Sequence, residues 1–345
     1  MIEIDGSMGE GGGQVLRSAL TLSLLTGQAF TVTNIRTNRP KPGLRPQHLA
    51  AVQAAGRISA AALDGDRVGS HQIAFVPGPV KPGDYHFDIG TAGATALVLQ
   101  TLLLPLPLAM AGGPSRLSVS GGTHVPWSPC FHYLDWHWRP LLARLGIRFD
   151  LTLAMAGFYP RGGGELLARI PGCAQPVGLH LQERGTLQRI RGISAVANLS
   201  LEIAERQRRQ TLKRLKMVAP RVAVEVVIES LPARSRGTLL MLLAEFEHSQ
   251  ACFSALGALG KPAERVADEA VDELSTFLTS DGAIDPWLAD QLLLPLSLAK
   301  ETSTVRTSRV TRHLLTNAEL IRHFLPVRIS VDGALDEAAM VRLQP

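Results

Sequence analysis

Residues 2–24, IEIDGSMGEGGGQVLRSALTLSL, carry the reading on which the fold turns. Ile2 and Ile4 alternate with acidic neighbours as in a short strand, and Asp5 to Gly13 supplies turn residues. Val15, Leu16, Ala19, Leu20 and Leu24 then recur at helical spacing until Gly27. The order is strand, glycine loop, helix. Glycines in such a loop let backbone N–H groups approach an anion where the helix dipole is positive, which favours phosphate. The same run also serves as a plain tight turn. Arg17 favours the anion, because it lies one helical turn on and adds a cationic fork.

Working outward, the rhythm repeats. Phe30, Val32 and Ile35 read as a second strand, and Leu49, Ala50, Val52, Ala55 and Ile58 as a second helix. The loop between them holds Arg36, Arg39, Lys41 and Arg45 among prolines that keep it out of a helix. A strand pair is expected near 72–76 and 85–89. After GTAG comes an apolar helix ending near Pro105, then a strand at 116–120, a helix near 131–145, and strands at 147–153 and 165–170. Tandem α/β units are the natural reading. From about Gln188 the texture changes to a long strand, the charged helix Leu201 to Lys216, strands at 221–228 and 237–246, and a helix at 263–277. That stretch reads as a smaller inserted domain. Beyond it, a helix at 285–298, a strand at 302–310, a helix at 317–324 and a strand at 327–331 resume the first.

The bulk numbers exclude several classes. A chain of 345 residues with 46% hydrophobic and 19% charged residues is globular in composition. Lysine and arginine exceed aspartate and glutamate by 35 to 30, a mild basic excess that suits a polyanionic partner. Cys130, Cys173 and Cys252 are widely spaced without a CxxC pair, so neither a disulfide framework nor a zinc site is expected, and a reducing cytoplasm fits. The apolar run Ala92 to Ala111 is broken by Gln100, Pro105 and Pro107, so a core helix is expected there and no membrane span.

Near the C-terminus, RHLLTNAE (312–319) places Thr316 and Glu319 at capping-box spacing, which predicts a helix start there with His313 just outside it. A helix N-terminus disfavours imidazolium, so His313 is a candidate neutral nucleophile, or an ordinary partly buried histidine. The cations of Leu201 to Lys216, from Arg206 to Lys216, read either as a solvated face or as an RNA track.

Six ordered blocks, DGSMGEGGGQVLRSALTLS, RPKPGLRPQHLAAV, IGTAGATALVLQTLLLP, GFYPRGGGEL, LADQLLLPLSLA and RHLLTNAELIRHFLPVR, resemble the RNA 3'-terminal phosphate cyclase family from residue 2 to about 330. The resemblance implies an α/β (α+β) fold of three repeated two-helix, four-strand units, akin to an initiation-factor C-terminal domain and to enolpyruvyl transferases. It implies a large domain over 1–183 and 279–345 and a smaller one, over 184–278, inserted in the third repeat. The implied activity is ATP-dependent, ligase-type conversion of an RNA 3'-phosphate into a 2',3'-cyclic phosphodiester, with Mg2+ or Mn2+ assisting. In the family a histidine matching His313 takes AMP from ATP and passes it to the RNA end. Glu10 matches a carboxylate near metal and phosphates, with Gln14 following it. Arg17, Arg39 and Gln47 match positions around the phosphates or RNA end, Arg39 and Gln47 serving the RNA end. Trp287, Asp290 and Gln291 match the segment that holds the nucleotide, and Pro129 the other face of adenine. A homodimer is left open. Ala156, before GFYP, and His124-Val125, after GGT, depart from the family pattern and bear on fine substrate preference. A non-catalytic branch, an enolpyruvyl transferase and a general RNA-binding module are the rival readings; His313, Glu10 and Arg17 argue against the first.

Overall fold

The computed structural model describes residues 1–109, 112–172 and 174–345. Cys173 and the last two residues of the apolar run, Met110 and Ala111, lie outside the described residues.

The first unit runs β1 (Ile2–Asp5), α1 (Gly13–Thr26), β2 (Phe30–Thr33), α2 (Pro46–Ser59), β3 (Ala62–Asp64) and β4 (Ile73–Val76), with sheet order β1-β2-β4-β3. The second runs β5 (Asp84–Asp88), α3 (Thr95–Leu103), β6 (Ser115–Gly121), a helix, β7 (Asp150–Met155) and β8 (Gly164–Ile170), with order β5-β6-β8-β7. Its second helix begins as α4 (Phe131–Tyr133), passes through a π turn (Leu134–Trp138) and continues as α5 (Arg139–Arg144). In both units the first pair of strands is parallel, joined across a helix, and the other pairs are antiparallel.

The third unit opens with the two-residue β9 (His180–Leu181) and is then interrupted. The insert comprises β10 (Leu187–Ala197), α6 (Leu201–Val218), β11 (Ala223–Ser230), β12 (Gly237–Phe246), β13 (Gln250–Leu256) and α7 (Ala263–Thr279), with order β11-β10-β12-β13. The unit then resumes with α8 (Pro286–Leu296), β14 (Ser303–Thr307), α9 (Arg312–Phe324), β15 (Arg328–Asp332) and β16 (Ala339–Gln344). Its order β15-β16-β14-β9 repeats the pairing of the first two units, so the molecule is three copies of one two-helix, four-strand unit with an α/β insert.

The insert is fused to the main body through its sheet. Along β12, Leu239, Met241 and Leu243 join the core of the large body, while Leu240, Leu242 and Ala244 face the core under α6 and α7. A strand buried on both faces reads as an unbroken apolar run, as GTLLMLLAEF does.

Three local expectations are corrected. The strands near 72–76 and 85–89 are not partners: β4 closes the first sheet against β2 and β3, and β5 opens the second. Strands β3, β9, β13 and β16 lie outside the expected set: β3 and β9 are only three and two residues long, and β13 is buried over three consecutive residues rather than alternating, while β16 does alternate and is missing from that set all the same. The last correction touches the site. Helix α9 starts five residues before Asn317, because Thr311 is its N-cap, its Oγ1 accepting from Leu314 N at 2.9 Å. Thr316 instead donates to Arg312 O within the helix. His313 is therefore inside the first turn.

Cys130 and Cys252 are buried free thiols. Among the described residues no helix is long and apolar enough to cross a membrane.

Candidate active site

The glycine loop meets α9 and the start of α2 at one end of the helices. Gly9 and Gly11 have φ of +60° and +57°, which an L side chain rarely adopts. A Cβ at Gly9 would come within 1.9 Å of Thr316 Oγ1, and one at Gly13 within 2.3 Å of His48 Nε2, so the loop can lie this close only as glycine. Gly12, the N-cap of α1, offers no side chain, so the first N–H groups of α1 stay open to an anion.

His313 Nε2 stands 3.4 Å from Glu10 Oε2, which also accepts from Arg39 Nη2 at 3.1 Å. Burial lowers the pKa of His313, and Arg17 and Arg39 lower it further, against the raising effect of Glu10. The net direction is down, so the imidazole is neutral at pH 7 and keeps a lone pair. Arg17 is half-buried as a residue with its guanidinium enclosed; burial brings its pKa to about 10, so it remains charged. Its Nη2 donates to Gln14 Oε1 at 2.9 Å. Gln14 in turn bonds Asn317 Oδ1 at 3.2 Å, which also accepts from Ser18 Oγ at 2.9 Å, tying α1 to α9.

Asp290 is buried beneath this junction. Thr311 donates to its carboxylate, and its backbone oxygen accepts from Asn317 Nδ2 at 3.1 Å. Burial, and then the charges of Asp285 and Glu10, push its pKa up to about 8. Its contacts are those of a residue that positions the His313 helix. Trp287, 40% exposed on α8, lies under the Arg309 guanidinium at 5.4 Å from the ring centroid. Gln291 donates to Trp287 O at 2.8 Å and to Tyr133 Oη at 3.3 Å, and accepts from Gln100 at 2.6 Å. Through Tyr133 it links α8 to the segment after the half-buried Pro129. Gln47 Oε1 accepts from Ala94 N at 2.7 Å, pinning the GTAG loop. Of the basic loop, Arg39 enters the site, whereas Arg36 turns inward to Lys41 O and Gly43 O.

His48 and Arg309 were not singled out from sequence. His48 Nδ1 accepts from Arg45 N at 3.2 Å, which leaves Nε2 facing Gly13 and protonated. Burial, then Arg17, Arg36 and Arg45, lower its pKa to about 3, so it is a neutral donor against the glycine loop. Its signal was adjacency to Gln47 within RPQHLAAV.

The arrangement brings together an uncapped helix start, two guanidinium groups, one carboxylate and a neutral imidazole. A family model described as RNA 3'-terminal phosphate cyclase matches residues 8–331. The chain belongs to this family. RNA 3'-terminal phosphate cyclases of Ralstonia nicotianae, Nostoc punctiforme and Methylococcus capsulatus are 46%, 44% and 43% identical to it, over 99%, 97% and 99% of this chain and 96%, 97% and 96% of theirs. The enolpyruvyl transferase NikO of Streptomyces tendae aligns over all of this chain and 66% of its own, at 9% identity and a TM-score of 0.29, too slight a likeness to carry an argument. As a cyclase-family chain, the protein brings five of its six quoted blocks together here, the glycine loop, the basic loop, the GTAG loop, α8 and α9, while GFYPRGGGEL lies against the GTAG loop through Gly162.

Proposed function

We propose that this protein is an ATP-dependent RNA 3'-phosphate cyclase that works through a histidyl-AMP intermediate on His313. The observation that carries the reading is the neutral His313, held in the first turn of α9 beside Glu10 and opposite the uncapped start of α1. The imidazole nitrogen attacks the α-phosphorus of ATP, an N–P bond forms, the bond to the pyrophosphate oxygen breaks, and pyrophosphate leaves. An oxygen of the RNA 3'-phosphate then attacks the same phosphorus, breaking the N–P bond and giving an RNA-adenylate. The ribose 2'-OH closes on the 3'-phosphorus, loses its proton and expels AMP; proximity in a five-membered ring supplies much of that step.

Charge builds on phosphate oxygens in each transfer, and the open N–H groups of α1 with Arg17, Arg39 and His48 are preorganised donors for it. Arg39 and Gln47 are assigned to the RNA end. Trp287 and Gln291 flank the nucleotide base, with Pro129 as the opposite face. A divalent cation fits a donor set of one carboxylate, because Mg2+ keeps several waters and takes substrate phosphate oxygens. Glu10 would hold it, Arg39 moving aside, and the ion would neutralise phosphate charge. Buried free thiols at Cys130 and Cys252 agree with a reducing cytosol.

The test is incubation of wild type and His313→Ala with α-labelled ATP, magnesium and an RNA 3'-phosphate. Label on wild type alone together with a cyclic end supports the mechanism. Cyclisation by the unlabelled His313→Ala protein would overturn it.

A further inference from the structure

Trp127 is 98% exposed and holds φ at +65°, and Tyr159 is 69% exposed. Two large aromatic rings offered to solvent, one on a backbone conformation that disfavours a side chain, are unusual on a compact chain. The loops that carry them are rigidly joined. His124 pairs with Phe158 as an isolated bridge, Thr123 and His124 both donate to Gly157 O, and the His124 and Phe158 rings stack at 5.0 Å. Below them, His124 Nε2 bonds His132 Nδ1 at 3.0 Å, and burial keeps both rings neutral. A third loop, between β11 and β12 of the insert, docks here: Phe158 N donates to Ser235 Oγ at 2.8 Å and Ala156 N to Pro232 O at 2.8 Å.

The cations of these loops, Arg161, Arg234 and Arg236, are all exposed. Among the described residues none of them is in an ion pair, and loops 122–130, 158–163 and 232–236 contain no acidic residue. The basic face of α6 differs in having no aromatic residue on the helix to stack a base; two of its cations, Arg206 and Arg214, are also paired to Glu264, Asp268 and Asp272 of α7. The aromatic surface also adjoins the candidate active site. Gly162 lies against Ala92 and Thr91, Gly122 N donates to Gly93 O at 2.7 Å, and the same GTAG loop is pinned by Gln47.

We propose that Trp127 and Tyr159, with Arg161, Arg234 and Arg236, form a platform for the single-stranded RNA upstream of its 3'-phosphate. Bases stack on the two rings, the guanidinium groups meet backbone phosphates, and the terminal nucleotide passes over the GTAG loop to Arg39 and Gln47. The insert then has a part in the reaction, through the loop at its root. This rests on the cyclase reading for the identity of the polymer.

The experiment measures binding of a 3'-phosphorylated single-stranded oligoribonucleotide by anisotropy without ATP, and separately the label taken from ATP. It also compares cyclisation of that oligonucleotide with that of a nucleoside 3'-phosphate, which has no upstream bases. Trp127→Ala or Tyr159→Ala is expected to weaken oligonucleotide binding about tenfold each and to raise KM for the oligonucleotide similarly, with far less effect on the nucleoside 3'-phosphate. Arg161→Gln with Arg234→Gln reduces the salt dependence of binding. Trp127→Gly removes the ring while relieving the positive φ, so its thermal midpoint is not lowered and lost binding cannot be ascribed to misfolding. Wild-type oligonucleotide affinity in the aromatic variants overturns the platform. Weakened binding in a protein that never takes label retains the platform and sinks the cyclase mechanism.

Discussion

His313 and the pair His124–His132 are kept neutral for the same first reason, burial, yet they are built for different ends. The pair is enclosed between two sheets' loops with no carboxylate beside it, and each ring has a hydrogen-bond partner. His313 is 33% exposed at its side chain, has Glu10 on one side and feels Arg17 and Arg39 on the other. Enclosure alone gives a structural pin whose proton affinity is suppressed outright. Partial burial among opposed charges gives a lone pair that neighbours can tune and a substrate can reach.

The largest expected effect tests that division directly. His313→Ala should lower label transfer from ATP by at least ~10³-fold with stability nearly unchanged, whereas His132→Ala should destabilise the fold by about 2 to 3 kcal/mol and leave a labelled protein. Equal loss of label in both would erase the distinction. Next, Arg39→Gln should cost about 10- to 100-fold in cyclisation, and Arg17→Met more, since its guanidinium is enclosed beside the uncapped start of α1; steady-state kinetics with saturating ATP read both.

A third prediction concerns acid. His48 titrates near 3 and His132 near 4 in the folded chain, against about 6.5 unfolded. Their folded pKa values are depressed, so the unfolded chain binds the extra protons: stability is fully present above pH 6.5 and is lost as pH falls from 6.5 towards 4. The expected slope is about 1.4 kcal/mol per pH unit for each such histidine, read by denaturant titrations at stepped pH. A flat profile from pH 6.5 to 4.5 would contradict their burial as neutral rings. The smallest expected change is in the pH profile: Glu10 raises the His313 pKa that burial lowers. Glu10→Gln should move the acid limb of adduct formation to lower pH, and Arg39→Gln should move it to higher pH, in initial-rate profiles.

Much of this was legible before any fold was known. The glycine loop, Arg17, the basic loop and the terminal helix lie in contiguous blocks, and periodicity placed nearly every helix. The misreadings have local causes. Thr316 and Glu319 have the spacing of a capping box, but the helix begins at Thr311, whose hydroxyl also reaches Asp290 on α8. Nothing between 305 and 320 reveals that partner. The bonds of the Asp290 and Gln291 side chains to Thr311, Tyr133 and Gln100 are a different matter: they add to the sequence reading what only α8's packing could show. His48 looked like any histidine in a helix until Gly13 was found against it.

By itself the sequence determined a tandem α/β plan with an insert and the residue types of a phosphate site, because helical period, strand alternation and glycine loops are properties of neighbours along the chain; the count of three units came with the family resemblance. The tertiary structure alone decided that Gln14 would meet Asn317, that Glu10 would face His313 and Arg39, and that the loops carrying Trp127 and Tyr159 would be joined to each other and to the 232–236 loop of the insert. Those pairs are separated by tens to hundreds of residues. Their distances, and so their proton affinities and charges, follow from how sheets and helices pack, which no local pattern encodes.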